Sequence, residues 1–351
     1  MKPVRLFLLL VATIGMPSIA MADKLVINAV GDIMLAGKGS AVLERLGYDH
    51  PFAATASVLK TGDLTVGNLE TPIASGGREF RNKRFRFKAA PMAAAALKRA
   101  GFNVLSMANN HMLDYGETGL LETINHLDNL GIKHSGAGKS LADARREAIV
   151  SCNGSTVAFL SYSLTYPEEF FARSRRAGTA PGYPPFFERD ISRAKAAADY
   201  VVVSFHWGKE GAAMPQRYQI STARKAVDAG ANLVIGHHPH VLQGIESYKN
   251  ALIFYSLGNF AFGSMSRNSD RSVIARITLD KGVAEAELIP INVLNREVKF
   301  QPAILKGKKG NDVIRRLRTI SSAMGTTIRD EGGRYLVDLQ QARQIVAAEG
   351  E

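Results

Sequence analysis

Residues 233–240 have the sequence LVIGHHPH. Its three leading apolar residues predict a short buried strand, which ends at the glycine that follows. Three of the chain's eight histidines come directly after that strand. His238 and His240 are two positions apart, so they cannot share a helix face, but they can converge at a strand end. The stretch therefore predicts a buried strand that leads into a ligand site.

Other predicted strands end in the same manner, at a carboxylate, an amide or an imidazole. The residues at these strand ends are Asp32, Glu70, Asn110 with His111, His206, and Asn259. Ligands bind at the carboxyl edge of open α/β sheets, because the loops there converge on one crevice. Imidazole nitrogen, carboxylate and amide oxygen together suit Mn, Fe, Zn or a similar divalent ion. We therefore expect a metal site at this edge.

Apolar β-branched runs alternate with helical patterns over most of the chain, which is typical of an α/β fold. Residues 163–188 are rich in Pro, Gly, Arg and aromatic residues, and they are predicted to form a long surface loop or lid. Beyond residue 290 the pattern weakens into a basic linker and two predicted helices. We therefore divide the chain into residues 1–22, a main domain at 23–295 and a C-terminal helical extension at 296–351.

The first 22 residues have the three parts of a signal peptide. Lys2 and Arg5 provide a positive start, residues 6–16 are apolar, and residues 20–22 have the small–x–small form of a cleavage site. The apolar run of 11 residues is shorter than the roughly 20 that span a bilayer as a helix. We expect an exported protein, periplasmic or secreted; the alternative is an uncleaved N-terminal membrane anchor.

The chain carries 44 Lys and Arg against 32 Asp and Glu, a formal net charge of +12. This excess favours anionic partners, either small molecules or an acidic polymer, whereas no nucleic-acid-binding motif accompanies it. Six basic residues lie within residues 78–88, where Arg84 or Arg86 is a candidate to hold an anionic substrate. The alternative is an exposed segment with solvated charges. Cys152 is the single cysteine, so it forms no intrachain disulfide.

Six motifs occur in order between residues 25 and 265. They are Gly31-Asp32, Asn68-Leu69-Glu70-Thr71, the segment 108–116 with Asn109-Asn110-His111 and Asp114, His206-Trp207-Gly208 with Glu210, Gly236-His237-His238-Pro239-His240, and the segment 255–260 with Gly258-Asn259. Together they resemble the CapA family, named for poly-γ-glutamate capsule synthesis and related to the calcineurin-like metallophosphoesterases. The resemblance implies a four-layer α/β/β/α sandwich around two divalent metal ions. It also suggests a link to capsule-synthesis machinery at the membrane.

The resemblance also implies roles for individual residues. The metal ligands are expected to be Asp32, Glu70, Asn110, His206, His238 and His240, with His237 as an alternative contributor. His111 is expected to protonate the leaving group. Substrate contacts are assigned to Arg86 and Asn259.

Two positions depart from the related phosphoesterases. Met34 stands where they usually carry a histidine, and Glu70 replaces their bridging aspartate. We therefore expect either one weakly bound metal or a shift of the chemistry from phosphate to amide. The leading hypothesis is an exported metal-dependent hydrolase of phosphoester or amide bonds in capsule, poly-γ-glutamate or another cell-envelope polymer. The alternative is a non-catalytic accessory protein for the synthesis or export of a polyanionic polymer.

Overall fold

The computed structural model describes residues 24–339, so the predicted signal peptide lies outside the described residues, as does the end of the predicted extension. The strands are β1 Leu25–Ile33, β2 Leu64–Leu69, β3 Val104–Ser106, β4 Lys133–Ser135, β5 Ala137–Gly138, β6 Ala148–Cys152, β7 Ser155–Ser163, β8 Gly178–Thr179, β9 Tyr200–His206, β10 Leu233–His237, β11 Ile245–Tyr248, β12 Ala251–Phe254, β13 Arg271–Leu279, β14 Val283–Asn292, β15 Ala303–Ile304, β16 Ile328–Glu331 and β17 Arg334–Val337. The helices are α1 Ser40–Leu46, α2 Ala56–Leu59, α3 Met92–Ala100, α4 Gly116–Asn129, α5 Leu141–Ala144, α6 Pro184–Ala197, α7 Arg217–Asp228, α8 Asn295–Val298 and α9 Gly307–Ser322.

Two large sheets form the centre of the protein. The first has the strand order β16-β17-β14-β13-β1-β2-β3-β4, with β15 paired to β14, and the second has the order β11-β12-β10-β9-β7-β6. Strands β1 to β4 run parallel to one another, as do β7, β9, β10 and β12. The carboxyl ends of the parallel strands within each sheet therefore meet at one edge.

Three hydrophobic layers separate the sheets from each other and from the helices. Ile27 of β1 and Val202 of β9 belong to one cluster, which fills the space between the sheets. Leu97 of α3 belongs to a second cluster on the outer face of the first sheet, and Ala223 of α7 to a third on the outer face of the second. This arrangement is an α/β/β/α sandwich, so the predicted fold class is confirmed.

One local prediction was wrong, and another was correct only in part. The segment after residue 295 contains α9, but it also contains the hairpin of β16 and β17, which pairs with β14 and extends the first sheet. Residues 163–188 were predicted to form a long surface loop or lid. Residues 173–175 do lie in an exposed turn, but residues 177–182 are buried, β8 pairs with β5, and α6 begins at Pro184.

Among residues 24–339, no helix is both long and apolar enough to cross a membrane.

Candidate metal centre

Alternate residues of a strand point to the same face, so the side that packs between the two sheets also provides the polar residues at the strand ends. In β2, Val66 packs between the sheets, and Asn68 and then Glu70 follow on the same side of the chain. In β9, Val202 is followed in the same way by His206. The two sheets therefore bring their polar strand ends together at one end of their shared core.

Two glycines allow the backbones to approach closely beside the site. A Cβ on Gly31 would lie 2.0 Å from the carbonyl oxygen of Gly258, and a Cβ on Gly236 would lie 2.0 Å from that of Tyr255. Asp32 N–H donates to the Gly258 carbonyl at 2.9 Å, which fixes the Asp32 backbone. Only glycine fits where two segments of the backbone approach each other this closely.

Two histidines of the site have left-handed backbone conformations. The φ angle is 92° at His238 and 58° at His240. Such conformations cost of order 1–3 kcal/mol in residues other than glycine, and they cluster at functional sites, where the surrounding structure over-determines them. Here the strained turn orients both imidazoles towards the same cluster of carboxylates.

The six predicted metal ligands lie in one cluster. Asp32, Glu70 and His240 offer donor atoms within 4.8 Å of one another, and so do Glu70, His206 and His238. Glu70 belongs to both groups, as expected for a carboxylate placed between two ions. Asn110 joins the second group, because its Oδ1 lies 3.0 Å from Nε2 of His206.

The donor atoms of this cluster fit divalent ions. Glu70 is fully buried, yet its Oε1 has no hydrogen-bond donor among the described residues. His238 is 9% exposed, and its Nδ1 likewise has no partner there. Leaving such buried atoms unsatisfied costs about 1–3 kcal/mol each, and more for charged groups. A cation between them would satisfy both atoms.

Burial and charge shift the pKa values throughout the cluster. Burial would raise the pKa of Asp32, but hydrogen bonds from His237 and His240 hold it well below its usual range. Burial, and after it the Asp32 carboxylate, raises the pKa of Glu70. Burial and the charge of His240 lower the pKa of His238 to about 3. Burial would lower the pKa of His240, but Glu70 and Asp32 raise it to about 9. Without a cation, a proton on His240 therefore compensates the buried carboxylates.

Two further asparagines, for which no role was predicted, form hydrogen bonds that support the cluster. The Asn68 amide donates to Asp32 Oδ1 at 2.9 Å and to Glu70 Oε2 at 3.3 Å. The Asn109 amide donates to Asn68 Oδ1 at 3.1 Å, and Asn109 Oδ1 accepts from the backbone of His111 at 3.1 Å. Both lie within the motifs of the sequence analysis, which was the available signal.

His111 is held by a buried ion pair next to the cluster. Its Nδ1 lies 2.6 Å from Asp114 Oδ2, and the Lys83 ammonium donates to Asp114 Oδ1 at 2.7 Å. Lys83 also contacts His111 Nδ1 at 2.8 Å and donates to the Asn110 carbonyl. Burial lowers the pKa of His111, and Asp114 opposes this shift. Asp114 lies three residues after His111 in the quoted motif, whereas no sequence signal distinguished Lys83 from its basic neighbours.

The two residues predicted to bind substrate have different surroundings. Asn259 lies in the cluster, with Oδ1 2.9 Å from His240 Nδ1 and its buried Nδ2 without a partner among the described residues. The Arg86 guanidinium instead pairs with Glu79 at 3.3 Å and donates to the carbonyl of Lys83. Arg86 thus supports the loop that carries Lys83.

The fold and the cluster define a four-layer α/β sandwich protein with a candidate metal centre at one end of its two sheets. Residues 26–264 match the family model described as "Bacterial capsule synthesis protein PGA_cap". The chain belongs to this family, which confirms the CapA resemblance.

Curated relatives agree with this assignment. The chain is 34% identical over 326 residues to "PGA biosynthesis protein CapA" of Bacillus subtilis, covering 92% of this chain and 84% of the relative. It is 32% identical over 226 residues to a "Probable polyglutamine synthesis accessory protein" of Mycobacterium tuberculosis, covering 60% and 58%. Among solved structures, Haemophilus influenzae NAD nucleotidase superposes with a TM-score of 0.48 at 12% identity, covering 86% of this chain and 63% of that one.

Proposed function

We propose that this chain is an exported metal-dependent hydrolase that cleaves phosphoester or amide bonds in an anionic polymer of the capsule or cell envelope. The observation that carries the proposal is a pair of buried atoms, Glu70 Oε1 and His238 Nδ1, that have no hydrogen-bond partner among the described residues. They lie in a cluster of carboxylates and imidazoles that could hold a metal ion. Glu70 Oε1 lies 3.7 Å from Nε2 of both His206 and His240, too far for a hydrogen bond. Buried polar atoms of a purely structural core are almost always hydrogen-bonded. Export rests on the composition of residues 1–22.

The proposed reaction needs metal ligands and a proton donor, and different residues serve these two roles. Asp32, Glu70, Asn110, His206, His238 and His240 would hold two divalent ions. Such ions, when bound, activate water and polarise the scissile group. Because Asp114 engages Nδ1 of His111, the Nε2 atom is left to donate a proton to the departing oxygen or nitrogen.

An exposed basic surface next to His111 favours an anionic substrate. Five arginines on two loops are exposed, and no ion pair within residues 24–339 engages them: Arg78, Arg81, Arg84, Arg173 and Arg175. Phe80 and Phe170 join the two loops, with their ring centroids 5.0 Å apart. Lys83 belongs to the first of these loops and contacts His111, so a polyanion bound here would lie beside the centre.

A second candidate function is that of a non-catalytic accessory protein for polymer synthesis or export. The name of the M. tuberculosis relative favours it, since that protein is described as an accessory protein. The protein would then bind a partner in capsule-synthesis machinery at the membrane instead of cleaving the polymer.

The two functions differ in what His111→Ala does. For a hydrolase, metal content measured by mass spectrometry should stay near that of the wild type, while turnover falls about 10²- to 10⁴-fold. A nitrophenolate leaving group needs no protonation and should recover much of this loss, whereas alkyl phosphates and γ-glutamyl peptides should not. His126→Ala, in a half-buried histidine of α4, serves as the control.

The hydrolase proposal fails if the metal-replete wild type cleaves none of these phosphoesters or γ-glutamyl amides. Equal complementation of a knockout by the wild type and by His111→Ala would then support the accessory role.

A further inference from the structure

A third carboxylate lies at the mouth of the cluster, outside the six predicted ligands. A Glu210 oxygen lies within 4.8 Å of a ring nitrogen of His238 and of His240. Glu210 is exposed, and no hydrogen bond or ion pair within residues 24–339 engages its carboxylate. Two donors of one ion, each about 2.1 Å from it, lie at most about 4.2 Å apart. A small movement of this exposed side chain therefore brings it into coordination range.

The backbone around Glu210 holds it in this position. Trp207 N–H donates to the His237 carbonyl at 3.1 Å, and Gly211 N–H donates to the Pro239 carbonyl at 2.8 Å. Gly208 and Gly211, on either side, adopt φ angles of 87° and 75°. The loop after β9 is thus folded back over the histidine turn, so the proximity of Glu210 to both imidazoles does not depend on a flexible connection.

The charge of Glu210 suits a site that holds divalent cations. Asp32 and Glu70 already bury two carboxylates, and a third one nearby adds repulsion. Two divalent ions would reverse this repulsion, because they bring four positive charges to three carboxylates.

Glu210 adjoins both groups of inner ligands. It reaches Asp32 and Glu70 through their shared partner His240, and it reaches Glu70 and His206 through His238. Each group already has an amide oxygen beside a histidine: Asn110 Oδ1 lies 3.0 Å from His206 Nε2, and Asn259 Oδ1 lies 2.9 Å from His240 Nδ1. The solvent side of His238 and His240 is therefore where a further donor can complete a coordination shell.

We propose that Glu210 is a seventh metal ligand, which closes the solvent side of the centre beside His238 and His240. This inference rests on the proposed metal centre. It assigns to the exposed loop after β9 a direct role in holding an ion.

The test is a titration of the metal-free full-length mature protein with Mn²⁺ by calorimetry, together with thermal unfolding in chelator. The wild type should take up two equivalents. In Glu210→Gln one equivalent should keep its affinity, and the other should weaken at least about tenfold. The melting temperature in chelator should stay near that of the wild type, because the exposed Glu210 carboxylate makes no hydrogen bond or ion pair within residues 24–339. Glu169→Gln, which neutralises another exposed carboxylate, should change neither quantity.

Three results would overturn the role of Glu210. An unchanged Mn²⁺ titration would show that it is not a ligand. A lower melting temperature in chelator, accompanied by weakening of both sites, would show a structural role in the loop. A wild type that binds no Mn²⁺ would remove the metal centre itself and the proposed function with it.

Discussion

The ion pair between Lys83 and Asp114 allows a quantitative prediction about what holds the site together. Asp114 is fully buried and accepts three hydrogen bonds: from Lys83 at 2.7 Å, from His111 at 2.6 Å and from the Phe87 backbone at 2.8 Å. In Asp114→Asn the amide oxygen can keep the bonds to His111 and Phe87, which share one oxygen. The amide nitrogen then faces the Lys83 ammonium, so that cation loses its counter-charge.

The expected loss is about 3 kcal/mol in the free energy of unfolding. Breaking a buried pair by removing one partner costs about 3–5 kcal/mol. The Lys83 side chain is 15% exposed and keeps the Asn110 carbonyl as an acceptor, so we take the lower end of this range. The exposed pair of Arg99 and Asp49 is the control, with side chains 57% and 63% exposed. Asp49→Asn should cost only about 0.2–1 kcal/mol.

The assay is urea unfolding followed by the fluorescence of Trp207, the single tryptophan, which is fully buried. Replacing both partners, with Lys83→Met and Asp114→Asn together, should cost less than the sum of the two single changes by about 1–3 kcal/mol. Strict additivity, or a loss below about 1 kcal/mol for Asp114→Asn alone, would refute the reasoning that this pair is an energetic anchor of the loop and of His111.

Two further predictions concern the cluster itself. In chelator, the proton on His240 stabilises the folded state below its unfolded pKa of about 6.5, and this contribution is lost as the pH rises through the folded pKa of about 9. The melting temperature of the metal-free protein should therefore fall between pH 6.5 and 9, and His240→Gln should flatten this fall; a slope that persists in the variant would assign it to another group. Gly31→Ala places a Cβ 2.0 Å from a backbone oxygen, so it should cost about 1–3 kcal/mol and weaken Mn²⁺ binding by displacing Asp32; calorimetry showing wild-type affinity would contradict the close packing described.

Most secondary structure was predictable because it depends on local patterns. Helix α7 is an example, since its apolar period and the glycine that follows it lie close together in the sequence. The hairpin of β16 and β17 was missed. Exposed charged residues such as Arg329 and Arg334 dominate it, and its strand character arises from pairing with β14, about 50 residues earlier.

The types and order of the candidate ligands could be predicted from the sequence, because each follows an apolar strand and parallel strands bring their ends to one edge. The structure was needed to show which candidate donors lie together, that Glu70 and His238 have buried atoms without hydrogen-bond partners among residues 24–339, and that Glu210 adjoins His238 and His240. Only the structure, too, distinguished Lys83 from the other basic residues of its loop. These properties depend on distances between residues far apart in the chain, and periodicity along one strand carries no information about what lies across the gap between two sheets.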